Sequence, residues 1–157
     1  MDIFSHFLWV IALFKIINLK IKKSKEKFNL FWAGFWSIFP DIFSFSIAFT
    51  FLIYNSIFNA SSSASTLHEL FTSTGLISDI TSVLYVIAHS MVTFFIVFII
   101  VCFIYKKPAW ILSGWLVHIL IDIPVHDGGR WATQFLWPFS TFAFNGVAYW
   151  QNPQIEM

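Results

Sequence analysis

Five residues able to hold a cation, His6, Asp41, His89, His118 and Asp122, lie in stretches that are otherwise apolar. Two of them stand one helical turn apart in "LVHILID", residues 116–122, where an imidazole and a carboxylate leave the same face of a helix and can reach one ion. An ionisable side chain at the centre of a bilayer costs about 2.5 to 3.5 kcal/mol on insertion scales, so each of these groups needs a partner. Imidazole nitrogens and carboxylate oxygens without thiolates suit a borderline divalent cation: zinc first, or iron or manganese as oxygen ligands increase. Asp41 resists a purely structural explanation, because a lone carboxylate deep in an apolar segment stays protonated unless a cation or donor meets it. The bland alternatives are an intramembrane hydrogen bond for His118 with Asp122, helix packing for His89 and Ser90, and interfacial anchoring for His6.

Four apolar runs must position these groups, at roughly 3–19, 28–54, 80–105 and 108–125. Each is long enough, or nearly so, to cross a hydrocarbon core that takes about 20 helical residues. The 157 residues are 58% hydrophobic and 11% charged, outside the range of an ordinary soluble domain. Phenylalanine at 21 positions and tryptophan at eight suit both acyl chains and the headgroup boundary. Seven of the nine Lys and Arg residues fall in "KIKKSKEK" and "KKP", two short loops separated by two spans, so both are expected to face the cytoplasm. The N-terminus carries Asp2 where a signal peptide wants lysines, and it is expected to be retained as the first span.

These features predict an all-α integral membrane protein, a single membrane-embedded domain over 1–157. Its expected architecture is an antiparallel bundle of about four transmembrane helices plus an interfacial or re-entrant C-terminal segment after Asp127. Counting from the cytoplasmic end of each run gives depths of about 20 Å for His6 and Asp41, about 24 Å for His89, about 15 Å for His118 and about 21 Å for Asp122. Polar groups from four spans thus come to a similar level in the outer half of the core. Pro40 is expected to bend the second span beside Asp41. Pro124 loosens the fourth, leaving His126 and Asp127, with Ser90, at the site mouth. The 55–79 loop, rich in Ser, Thr and Asn, is expected to be partly mobile and to cover the outer face, with His68 and Glu69 as ordinary solvated residues. Cys102 reads as a buried filler. No repeat, glycine loop or long basic stripe occurs, so direct nucleic-acid binding is not expected.

The ordered elements "SHFLW", "FPDI", "AHS", "HILID" and "LWPFS" resemble the bacterial inner-membrane family of metal-dependent hydrolases, some of whose members are described as LexA-binding. The resemblance runs from His6 to about Trp150. It implies a helical bundle similar to zinc-dependent phospholipases, with His6, Asp41, His89, His118 and Asp122 as metal ligands. Many members carry a second aspartate where this chain has Phe43, and a His-Arg pair where it has Leu84 and Tyr85.

The expected function is a metal-dependent hydrolase of the bacterial cytoplasmic membrane. It would use a metal-activated water on an ester or phosphoester of a lipid or other amphiphile, with Asp41 or Asp122 as general base. A metal or proton translocator is the first alternative, although toward the cytoplasm the spans offer only Lys15, Asn18 and Ser113 as polar steps. A non-catalytic membrane partner that keeps the metal site is the second.

Overall fold

A computed structural model of the chain describes residues 3–22, 27–58 and 75–147. The apolar runs fold as helices, the form in which a chain in lipid satisfies its own backbone donors and acceptors. The elements are α1 (Ile3–Lys20), α2 (Leu30–Phe58), α3 (Leu76–Ala88), α4 (Met91–Tyr105), a 3-10 turn (Trp110–Leu112) and α5 (Ser113–Val125). No strand occurs among the described residues. The protein is therefore all-α. Helices α1 and α2 are each long and apolar enough to cross a membrane, and α3 with α4 adds a third if that bent pair is one span.

Helix α2 is the hub, packing against α1, α3 and α5. Its buried face is a stripe of small residues, Ala33, Gly34, Ser37, Ser44 and Ala48, interrupted by Pro40 and Asp41. Small residues allow the backbones to approach closely. A Cβ on Gly34 would lie 2.5 Å from the Phe7 ring of α1, and one on Gly114 of α5 would lie 2.1 Å from the Ala33 carbonyl oxygen. The Ser37 and Ser44 hydroxyls donate 2.6 Å hydrogen bonds to the Gly34 and Pro40 carbonyls, so neither is left bare in the interior.

Three expectations change. The run 80–105 is two helices, bent by 63° at His89 and Ser90, so counting depth along a straight helix fails for His89. Ser90 causes the break to hold: its hydroxyl caps α4 by accepting from the Val92 and Thr93 amides, and donates to the Trp137 carbonyl at 2.5 Å. The run 108–125 begins as a 3-10 turn and is regular only from Ser113. Helix α2 passes through Pro40 unbroken and extends to Phe58, so residues 55–58, and likewise 76–79 of α3, are helical rather than loop. The rest of the predicted outer loop, His68 and Glu69 included, lies outside the described residues.

Beyond α5 the chain forms turns and extended segments without a helix as far as Val147. Backbone hydrogen bonds hold this segment in place: the Gly146 amide donates to the His126 carbonyl at 2.9 Å, Val147 to Pro124 at 3.0 Å, and Met91 to Phe135 at 2.9 Å. It thus covers both the end of α5 and the break between α3 and α4.

Candidate metal centre

The helices bring His6, Asp41, His89, His118 and Asp122 together. Spacings of four residues turn the same face inward turn after turn: His6, Val10 and Phe14 on α1, and Gly114, His118 and Asp122 on α5. The break after α3 turns the last residue before Ser90, His89, into the same interior. Asp41 is 8% exposed and the other four are 0 or 1% exposed.

Four donor atoms form the heart of the cluster. His118 Nε2 lies 3.0 Å from His89 Nε2. His89 Nε2 lies 3.4 Å from both Asp41 Oδ1 and Asp122 Oδ2. His118 Nε2 lies 3.7 Å from Asp41 Oδ1 and 3.2 Å from Asp122 Oδ2. Ligands about 2.0 to 2.1 Å from a tetrahedral ion stand about 3.3 Å from one another, which matches these five edges of the four-atom figure. The overlapping triads His6, Asp41, His118 and His89, His118, Asp122 could each hold a metal ion.

Protonation supports the same reading. His89 Nδ1 lies 2.9 Å from the Tyr85 carbonyl, which can only accept, so Nδ1 carries a proton and the ring is held with Nε2 turned toward the cluster. His89 Nε2 faces the His118 nitrogen and two carboxylate oxygens, a grouping that a shared cation or a bound proton relieves. His6 Nε2 stands 3.0 Å from Asp122 Oδ1. Neither atom makes a hydrogen bond of acceptable geometry, and His6 Nδ1 and His118 Nδ1 also lack one. Buried polar atoms without partners cost about 1 to 3 kcal/mol each, so the cluster is incomplete as a set of hydrogen bonds.

The predicted mouth residues divide. His126 Nδ1 donates to the Asp122 backbone carbonyl at 3.2 Å and lies 3.5 Å from Asp122 Oδ1, so it borders the cluster without offering that nitrogen as a ligand. Burial pushes its imidazole below the ordinary histidine range, with the Asp122 carboxylate opposing. Asp127 accepts from the Gly129 amide at 3.2 Å and belongs to neither triad. Ser90 is fully buried in its capping and tethering bonds.

Tyr85 was not expected at the site. It is 2% exposed, stacks on His89 with ring centroids 3.8 Å apart and planes at 20°, and donates its hydroxyl to the Trp131 carbonyl at 2.8 Å. Its position one turn before His89 is the signal that would have found it. Phe43, by contrast, is 39% exposed, so the position where the resembled family often has a second aspartate does not face this cluster. The Trp115 indole donates to the Ala88 carbonyl at 2.7 Å and closes the site toward the lysine-bearing loops. No protein-family model, curated protein or solved structure matches the chain.

Proposed function

We propose that the chain is a membrane-embedded, metal-dependent hydrolase acting on an ester or phosphoester of a lipid-like substrate. The observation that carries this reading is the buried four-atom donor set at ligand-to-ligand distances. Two imidazoles and two carboxylates without a thiolate suit zinc, with iron or manganese as alternatives. A divalent ion bound there supplies Lewis acidity and acidifies water toward neutrality. The resemblance in the order of the short motifs supports the same chemistry.

The side chains divide the work. His89 is held by the Tyr85 carbonyl and the Tyr85 ring, so its Nε2 cannot swing away. Asp122 faces His89 and His118 with one oxygen and His6 with the other, which leaves it little capacity to exchange protons. Asp41 is the most accessible of the five, and is therefore the better general base. The proposed setting is a four-span antiparallel bundle in the bacterial cytoplasmic membrane, basic loops inward, in which α3 and α4 form one bent span. Residues 110–125 would be the last span, with the C-terminal segment interfacial.

Metal analysis of the purified protein tests the proposal. About one ion per chain is expected, lost in His118→Ala and Asp122→Ala and retained in Ser82→Ala. Asp41→Asn should lower turnover on a panel of lipid esters and phosphoesters by about a hundredfold or more. Folded wild type that binds no metal would remove the proposal, and stoichiometric metal without turnover would favour the non-catalytic partner. A translocator needs a polar path to the lysine-bearing end, where Val10, Phe14, Ala33, Leu112 and Trp115 fill the interior.

A further inference from the structure

At the end of the molecule that carries the basic loops, a cleft of about 1060 Å³ opens between Ile21 and residues 27–29 on one side and α4 and the start of the α5 segment on the other. It shares no residue with the metal centre. Trp36, Val97, Val101 and Trp110 line its apolar part, Lys27 and Lys107 also line it, and no carboxylate among the described residues does. The cleft is built rather than incidental. Asn18 clamps the α1–α2 connection through two 2.8 Å hydrogen bonds to the Phe28 backbone, one in each direction. On the other side Lys106 adopts a left-handed conformation, φ 53°, that ends α4, and the Ala109 amide then donates to Cys102 Sγ at 3.3 Å.

Two independent features favour a negative charge at this place. One is the lysine pair, a pattern that attracts anionic headgroups at a membrane surface at roughly fivefold per lysine. The other is that Asn29, whose side chain accepts from the Trp32 amide at the start of α2, lines the cleft, so the positive end of that helix borders it. A free inorganic anion would use the charge and leave the long apolar wall idle. A zwitterionic lipid would use the wall and leave the lysines without a net charge to neutralise.

We infer that this cleft is a binding site for one anionic phospholipid, its phosphate between Lys27 and Lys107 and an acyl chain along Trp36, Val97, Val101 and Trp110. The site anchors the lysine-bearing end in its leaflet and stands whether or not the metal centre is catalytic.

Native mass spectrometry of the full chain in detergent tests this, with phosphatidylglycerol and phosphatidylcholine of identical chains offered in equal amounts. The wild type should retain phosphatidylglycerol over phosphatidylcholine by about tenfold or more. The double variant Lys27→Gln, Lys107→Gln, whose changes are exposed and leave the core intact, should bring the ratio near unity. Val101→Trp, which fills the apolar wall, should lower retention of both lipids at unchanged metal content. Equal retention of the two lipids by the wild type would overturn the assignment. So would a preference that survives the double lysine variant, or inorganic phosphate that competes at the concentration of the lipid.

Discussion

Asp122 shows how one residue can make five others interdependent. Its Oδ2 lies within 3.4 Å of His89 and His118 and its Oδ1 within 3.5 Å of His6 and His126, while Asp41 meets the same two histidines from the far side. Removing one member leaves the others buried without their partner, which is costlier than never having had the group. Tyr85 offers the cleanest way to perturb this network from outside. Tyr85→Phe keeps the ring on His89 but removes the hydrogen bond to the Trp131 carbonyl, at a cost of about 1 to 2 kcal/mol. The apparent melting temperature should fall by about 2 to 6 °C, metal content staying at the wild-type level. Tyr85→Ala also removes the surface against which His89 is stacked, and should lower bound metal to half or less. Equal metal content in all three proteins would show that the ring does not position the ligand.

Helices position the cluster only as well as their backbones approach one another. Gly114 is where α5 meets α2, with an added Cβ 2.1 Å from the Ala33 carbonyl oxygen, a backbone atom that cannot turn aside. Gly114→Ala should therefore force α5 outward, drawing His118 and Asp122 from Asp41, with metal affinity reduced about tenfold or more and a loss of at least about 2 kcal/mol in stability. Gly75→Ala, where the added carbon meets nothing within 4 Å, should leave both unchanged. Isothermal metal titration and thermal melts of the two variants check this. The gathering of these five side chains was legible in the sequence because an imidazole or carboxylate in an apolar run has few explanations. The break at His89 was not, because "VIAHSMV" carries neither glycine nor proline and hydropathy runs straight through it. The anchoring of the C-terminal segment was equally hidden: it rests on the carbonyls of Trp131, Phe135 and Trp137, groups that every residue possesses.

The whole molecule is turned inside out relative to a soluble domain. Its buried set includes His6, Ser37, Asp41, Ser44, Thr81, His89, Ser90, His118 and Asp122, while Phe4, Leu19, Phe103, Phe139 and many other large apolar side chains stand exposed. Exposed apolar surface on that scale requires another apolar phase to cover it, and two or three helices are long and apolar enough to cross a membrane. What hydropathy leaves open is whether residues 110–125 cross. Sixteen residues rise roughly 24 Å as α-helix, short of a core about 30 Å thick. Yet the Pro124 and His126 carbonyls accept from the Val147 and Gly146 amides, so the end of α5 need not reach bulk water to satisfy them. On that ground the segment should cross, placing Asp127 opposite Lys107. In a Cys102→Ala background, Lys107→Cys should react with a membrane-impermeant maleimide only in inverted vesicles, and Asp127→Cys only in intact spheroplasts. Labelling of both from one side would make α5 re-entrant and leave three spans, with the metal centre reached from the lysine-bearing face.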